Sequence, residues 1–451
     1  MKNTKSNQFS SRLGFIMAAA GSAVGVGNIW GFPTQAASNG GGAFLLVYVI
    51  LIFILGYPML MAELMIGRHG QTNPADAMAK LGRNKWSRSV GKAIGFSSII
   101  TAILICSFYT ILSGWFVSFA VASIVRGMGL EQLSLWLTDF SVSRNVVFTS
   151  LLIVMSIFII RQGVQDGIEK WSKRLMPLLL VILLGGAIYI LTLPGAMQGL
   201  SILFTPDFSR VFETKVLMGA LGQTFFSLTI GTGAMMVYGS YINKKENIAK
   251  LTAYVTLMDT VVAFLAAMMI IPAMYVAQHN GVVIFDDNGQ LLNSSTLVFT
   301  VLPHLFDSIG GQLQYILGFI FFSLMAIAGL TSTISIVEVP TSYLVEKTKI
   351  NRNNASLMVG TLILVLSLIV VFYFDALFNF MITLTTERAQ PLIALGIAIY
   401  LGWVWNRKDL LDDIYAQDGV DNNSLFWKIW PFYVKYICPT LIILIIVQLF
   451  F

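Results

Sequence analysis

Residues 21 to 33 read Gly21-Ser-Ala-Val-Gly25-Val-Gly27-Asn28-Ile-Trp30-Gly-Phe-Pro33, and they lie inside the first long apolar run of the chain. Four glycines and an asparagine are a poor composition for a plain membrane anchor. Hydrocarbon offers no partner to a free amide or carbonyl, so unwound peptide at that depth survives only where protein or a cavity surrounds it. The stretch therefore predicts a break near the bilayer midplane with a ligand site around it.

The 451 residues are 56% hydrophobic and 11% charged, with a mean hydropathy of +0.78. One soluble core cannot hide that much apolar surface, and many runs approach the roughly 20 residues that cross a bilayer. The sequence predicts an all-α polytopic membrane protein with eleven transmembrane helices. They lie near 12–37, 41–68, 91–125, 145–160, 166–191, 216–240, 247–277, 312–343, 355–374, 377–405 and 430–451, numbered helix 1 to helix 11 in that order. The longest outer linkers are 193–215 and 278–311. Within the second, Leu292 to Phe306 has the period of a short surface helix and reads as a lid over the mouth.

The net charge of +6 is not a nucleic-acid signal. With the N-terminus inside, 22 of the 28 Lys and Arg fall on inner segments and only Arg126, Arg144, Arg210 and Lys215 on outer loops. That bias sets the orientation, with a cytoplasmic N-terminus and, for an odd number of helices, an extracellular C-terminus in the plasma (cytoplasmic) membrane. Nucleic-acid binding needs a soluble basic face, which this pattern lacks. Cys106 and Cys438 sit in apolar stretches, and His69, His279 and His304 are scattered over three loops, so neither a disulfide framework nor a metal spacing is present. No cluster of acid, base and nucleophile suggests an enzyme. Lys2, Lys5 and Arg12 before an apolar run ending in Ala18-Ala-Ala20 imitate a signal peptide. The run continues into GFPTQAASNGGG without a polar mature start, which argues for a retained helix.

A second interruption lies in helix 6, Gln223-Thr-Phe-Phe226-Ser227-Leu-Thr229-Ile-Gly231-Thr232-Gly233. Its Gly-x-Gly matches Gly25-x-Gly27 five helices earlier. Two glycine-broken helices in corresponding places of two five-helix halves is the mark of an inverted repeat whose broken helices meet at a midplane site. The halves are 12–191 and 216–405, with 430–451 as an extra helix in a single domain, 1–451. Close packing is the competing explanation, since Gly21-x-x-x-Gly25 also fits a helix-contact template. Asp259 in helix 7 is an ionisable residue at membrane depth, expensive enough to be functional unless local hydroxyls satisfy it. Glu63 in helix 2 is either an acid serving unwound backbone or one facing interfacial water.

The segments AGSAVGVGNIWGFP (20–33), NGGGAF (39–44), ELMIGR (63–68), GQTFFSLTIGTGA (222–234) and AGLTST (328–333) together resemble the neurotransmitter:sodium symporters, in particular their bacterial amino-acid transporter branch. The resemblance implies the LeuT-type fold, a 5+5 inverted repeat with discontinuous helices 1 and 6. Gly167 and Pro177 in helix 5 resemble the family's element for cytoplasmic unwinding. The resemblance further implies two sodium sites. One would use Ala23, Asn28, Ser227 and Asp259 with a substrate carboxylate oxygen. The other would use Gly21, Val24, Ala328, Thr331 and Ser332. The implied substrate pocket holds Ser22, Ala23, Val26, Gly27, Ile105, Tyr109, Phe226, Ser227, Thr229, Thr232, Ser332 and Ile336, with Tyr109 donating to the carboxylate.

Family members that move amines without a carboxylate carry Asp at the position of Gly25, so glycine there implies an amino acid as substrate. Phe226 and the aliphatic lining imply a neutral hydrophobic or aromatic side chain, with Thr232 enlarging the pocket. Asp259 stands beside the place where chloride-dependent relatives hold that anion, which implies chloride-independent transport. The outer-gate Arg and Asp of most relatives are replaced by Gly31 and Ile382, leaving Glu387 and Arg388 as candidate substitutes. Phe9, Lys5 and Glu346 roughly match the inner latch, with Lys5 or Ser6 in the place of the usual Arg. The expected function is a sodium-coupled symporter working by alternating access as a monomer or homodimer. A non-translocating amino-acid sensor of the same fold is the alternative, and a channel is a third reading.

Overall fold

The computed structural model describes residues 8–284, 297–420 and 424–450, and they are helical with no strand among them. Seven unbroken helices are long and apolar enough to cross a membrane: Gly42–Gly70, Lys85–Gly127, Val142–Ile160, Val164–Leu191, Ile248–His279, Leu313–Thr348 and Arg352–Phe372. A bent pair, Arg12–Ala23 and Gly27–Ser38, forms helix 1 with an angle of 54° at the quoted glycines. Helix 6 consists of Thr214–Ser227 and Ala234–Ser240. Phe374–Val404 and Leu425–Phe450 occupy the places of helices 10 and 11. Every predicted span thus has its helical counterpart.

Local chemistry explains where these helices start. Ser11, Asn73, Asn84, Ser141, Asn247 and Asn351 each stand at an N-cap, with the side chain accepting from a backbone N–H inside the first turn. Such caps satisfy amides that the helix itself leaves unpaired. The breaks have equally local causes. Val24 leaves helical geometry at φ −73°, ψ 95°. In helix 6, Gly231 and Gly233 adopt φ of +89° and +79°, a region glycine enters at no steric cost.

Four helices lie in stretches read as linkers: Pro74–Leu81, Glu131–Thr138, Ala196–Phe204 and Arg407–Tyr415. Ala196–Phe204 lies within the outer linker 193–215. Its Gly199 lies so close to helix 7 that an added Cβ would meet Pro272 Cα at 2.7 Å. Arg407–Tyr415 turns by 97° from helix 10 and carries Asp413, whose Oδ2 lies 2.6 Å from the fully buried guanidinium of Arg68 in helix 2. Burial works to raise the Asp413 pKa, but hydrogen bonding to His69 and the charge of Arg68 hold it below the usual carboxylate range.

On the opposite side of the molecule, Leu297–Ile309 realises most of the predicted lid helix, while residues 292–296 lie outside the described residues. Its Phe299 fits between Phe116, Phe119 and Trp115 of helix 3, with ring centroids 5.2, 5.0 and 5.5 Å away. Arg144, expected in an outer loop, is buried at the start of helix 4. It donates to Leu137 O at 3.0 Å and Asn145 Oδ1 at 2.8 Å and faces the Phe140 ring at 4.6 Å. Cation–π contact and two carbonyl-type acceptors compensate a charge that has no carboxylate in hydrogen-bonding contact among the described residues.

Candidate functional site

The two helix breaks meet. Gln223 Nε2, in helix 6, donates to Gly27 O in helix 1 at 2.9 Å, and Asn28 Nδ2 donates to Ser227 Oγ at 2.9 Å. An added Cβ at Gly27 would lie 2.7 Å from the Phe226 ring, so glycine there is what lets the two broken segments touch. Glu63 Oε1, on helix 2, accepts from Gly231 N at 2.6 Å, and Gln390 Nε2, on helix 10, donates to Ile230 O at 3.2 Å. The unwound backbone of helix 6 therefore has side-chain partners on both flanks, as buried peptide groups require. Glu63 serves unwound backbone and does not face interfacial water.

Asp259 is the centre of the first implied sodium cluster. Its Oδ1 accepts from Asn28 Nδ2 at 2.7 Å, and its two carboxylate oxygens lie 3.0 and 2.9 Å from Ser227 Oγ. Tyr48 OH, 3.3 Å from Oδ2, was not foreseen from sequence. It is a lone hydroxyl in the apolar run LLVYVILIFILG, and that contrast is the signal that could have found it. Ala23 ends the first half of helix 1 beside this cluster in sequence, where the last carbonyls of a helix lack intrahelical partners.

The second implied cluster joins helix 1 to helix 8. Ser332 Oγ stands 3.3, 3.3 and 3.4 Å from the carbonyl oxygens of Gly21, Ser22 and Val24. One hydroxyl proton cannot serve three acceptors, so uncompensated carbonyl dipoles converge there. Thr331 Oγ1 is 3.1 Å from Ala328 O within the same helix turn, and a Cβ on Gly21 would lie 3.3 Å from Thr331 Cβ. An all-oxygen set of carbonyls and hydroxyls suits a hard cation.

Gly25 lies between the clusters. Its added Cβ would meet Ser332 Oγ and Tyr109 OH at 2.6 Å each, and Tyr109 OH accepts from Val26 N at 3.1 Å. Of the other implied pocket residues, Ser22 Oγ and Thr229 Oγ1 are buried with no hydrogen-bond partner among the described residues. Thr232 Oγ1 donates to Thr229 O at 2.8 Å and accepts from Ala234 N at 3.3 Å, so it also braces the break. Ile105 and Ile336 are buried one helical turn from Tyr109 and Ser332, respectively.

A cavity of about 460 Å3 has Val26, Tyr109 and Phe226 at its floor and Gln35, Met218 and Glu387 higher up. Gly31 and Ile382 both line it, as does Gln223, 3.6 Å from an added Cβ at Gly31. Glu387 is exposed in this vestibule; Arg388, expected as its companion, is not among the lining residues. The other side of the site is held shut by the start of the described chain. Ser10 N and Oγ and Ser11 Oγ donate to Glu169 at 2.7, 2.6 and 3.0 Å, Lys173 pairs with it at 2.6 Å, and Phe9 N donates to Tyr241 O at 3.2 Å. Glu346, expected in this latch, binds Thr72 and Asn73 instead, and Lys5 lies outside the described residues.

Gly14 makes the clasp possible, because a Cβ there would lie 1.9 Å from Glu169 Oε1. Gly14→Ala is expected to displace the carboxylate and lose charge-assisted hydrogen bonds worth on the order of 1.5–3 kcal/mol each. Proteolysis of the first fifteen residues in the folded protein should accelerate about tenfold; unchanged cleavage would remove Glu169 from the closure.

Comparison with known proteins agrees with this geometry. The profile of the sodium:neurotransmitter symporter family matches residues 6–139 and 132–450. The chain belongs to that family. It is 32% identical to the uncharacterized sodium-dependent transporter YhdH of Bacillus subtilis, with 100% of this chain and 99% of that protein covered. The bovine sodium-dependent neutral amino acid transporter B(0)AT2 is 27% identical over 53% of this chain and 36% of its own length. A crystal structure of MhsT in complex with L-phenylalanine superposes with a TM-score of 0.83 at 33% identity, covering 98% of this chain and 99% of the other. This protein is thus a multi-pass, sodium-dependent membrane transporter of the LeuT-type fold and not an enzyme.

Proposed function

We propose that this symporter imports a neutral, hydrophobic or aromatic amino acid together with sodium, by alternating access and without chloride. One observation carries the proposal: Asn28 of one broken helix and Ser227 of the other are bound to the same buried carboxylate, Asp259. A fixed anion ringed by amide and hydroxyl groups at the junction of two mobile halves is suited to a cation. Turning over the Asn28 amide would present its oxygen to that cation. The oxygen cluster of Gly21, Val24, Ala328, Thr331 and Ser332 takes a second sodium, and the substrate carboxylate reaches the first across Gly25, with Tyr109 as its donor. The unpartnered hydroxyls of Ser22 and Thr229 offer further polar contacts, and Phe226, Ile105 and Ile336 receive the side chain. L-phenylalanine in the MhsT complex supports this substrate class.

The halves 12–191 and 216–405 form the inverted repeat in this reading, and helices 1, 2, 6 and 7 rock against the rest. The vestibule on one side and the Glu169 clasp on the other support an outward-facing arrangement with the N-terminus in the cytoplasm. Because Asp259 supplies the balancing negative charge, replacing external chloride by gluconate is expected to leave uptake within about twofold of its original rate. A loss of uptake in gluconate would overturn the role given to Asp259. Transport itself is tested by sodium-gradient-driven accumulation of radiolabelled neutral amino acids in proteoliposomes. Accumulation above the external concentration supports the symporter, whereas binding without accumulation would turn the reading toward a sensor.

A further inference from the structure

A cavity of about 600 Å3, separate from the transport pathway, opens between the end of helix 10, the turn into Arg407–Tyr415 and the start of helix 11. Arg83, Arg407, Lys428 and Lys435 line it, and no Asp or Glu does. None of the four is paired with a carboxylate among the described residues. Arg83, Arg407 and Lys428 are exposed and Lys435 is half-buried, and like charges around one hollow make it attractive to an anion.

Trp405 forms part of the cavity wall and is 4% exposed, and Arg83 Nη2 donates to the Trp405 carbonyl oxygen at 3.5 Å. The hollow is shaped by backbone contact, since an added Cβ on Gly402 would lie 2.7 Å from Lys435 Cα and force helices 10 and 11 apart. Lys435 Nζ rests over the rings of Trp403 and Tyr436 at 5.6 and 5.3 Å.

The outer rim has opposite character. Trp403, Tyr436, Ile429 and Phe432 are 45%, 44%, 48% and 59% exposed, and they face outward from helices read as membrane spans. Aromatic side chains at such a boundary sit at headgroup level, with lipid beside them. By the charge bias of the loops, Arg83, Arg407 and Lys428 lie on the cytoplasmic side. A ligand that satisfies both parts needs a phosphate group for the four cations and hydrocarbon for the rim.

We propose that this cavity is a binding site for the phosphodiester headgroup of an anionic phospholipid, with the acyl chains lying along helix 11. Basic pockets between helices on the cytoplasmic side have the chemistry to hold such headgroups, and guanidinium groups engage phosphate oxygens in charge-assisted pairs. The bound lipid joins helix 11 to the turn that carries Asp413, and hence to Arg68 of helix 2.

The test uses the full-length protein in nanodiscs of equal phosphatidylcholine and phosphatidylglycerol, with retained lipid counted by native mass spectrometry. Wild type is expected to retain phosphatidylglycerol at least tenfold over phosphatidylcholine. Arg407→Gln, Lys428→Gln and Lys435→Gln combined should abolish that preference, while Lys244→Gln, Lys245→Gln and Lys250→Gln, an equal charge loss elsewhere on that side, should keep it. Equal retention of the two lipids by wild type overturns the site without recourse to any variant, as does an equal loss in both triple variants. Thermal shifts of wild type in neutral detergent separate the sources of phosphate. Short-chain phosphatidylglycerol should stabilise the protein where inorganic phosphate and glycerol 3-phosphate at the same concentration do not. Equal stabilisation by the soluble anions would overturn the lipid assignment.

Discussion

Asp259→Asn is expected to lower sodium-driven uptake at least a hundredfold while leaving the fold intact. The side chain is fully buried and is reached by Asn28, Ser227 and Tyr48 from helices 1, 6 and 2. Asparagine fills the same volume but removes the fixed negative charge beside the proposed cation. Removing one partner of a buried charge pair costs on the order of 3–5 kcal/mol, which is about two to four powers of ten in an equilibrium constant. Uptake and melting temperature should be measured together. A stable variant that keeps more than a tenth of wild-type uptake would show that Asp259 is a structural acid satisfied by its neighbours. Asp259→Ser extends the test, because the smaller side chain leaves room for an external anion. Its residual uptake should rise severalfold when chloride replaces gluconate, and a variant blind to chloride would contradict the charge-balance argument.

Gly25→Ala should weaken amino-acid binding by about tenfold to a hundredfold. The new methyl would stand 2.6 Å from both Ser332 Oγ and Tyr109 OH. Neither hydroxyl can move freely: Tyr109 is held by Val26 N, and Ser332 by the carbonyls of Gly21, Ser22 and Val24. Overpacking of this kind costs about 1–3 kcal/mol. Here the displacement falls on the proposed carboxylate donor and on the second sodium cluster together, so sodium affinity should fall as well. Gly185→Ala, whose added Cβ meets nothing within 4 Å, is the control for a helix glycine without a neighbour. Equal affinities in the two variants would mean that Gly25 is not at the binding site.

Those two residues illustrate what could be read before the structure was known. Glycine and asparagine at membrane depth are costly in hydrocarbon, so Gly25, Gly27, Asn28 and Asp259 marked the site by being out of place in an apolar run. Period and length located the helices for the same reason. Partner choice was not legible, because it depends on which faces meet across helices distant in sequence. Tyr48 reaches Asp259 from helix 2, Glu169 reaches Ser10 and Ser11 from helix 5, and Glu346 turns to Thr72 and Asn73. Arg144 was misread because a loop charge is ordinarily solvated, whereas here aromatic rings and carbonyl oxygens replace the water. The amphipathic stretches Ala196–Phe204 and Arg407–Tyr415 were too short for periodicity to separate them from linkers.

Two spans open within the membrane, and in the proposed function sodium and a substrate carboxylate hold each other there. The most direct measurement is the thermal stability of the purified protein with L-phenylalanine or phenethylamine, each in sodium or in potassium. A ligand stabilises only through preferential binding to the folded form. The account predicts a rise in melting temperature for L-phenylalanine in sodium and none for the other three combinations, because the amine lacks the carboxylate and potassium is too large for the oxygen cluster. An equal rise with the amine, or with L-phenylalanine in potassium, would contradict it.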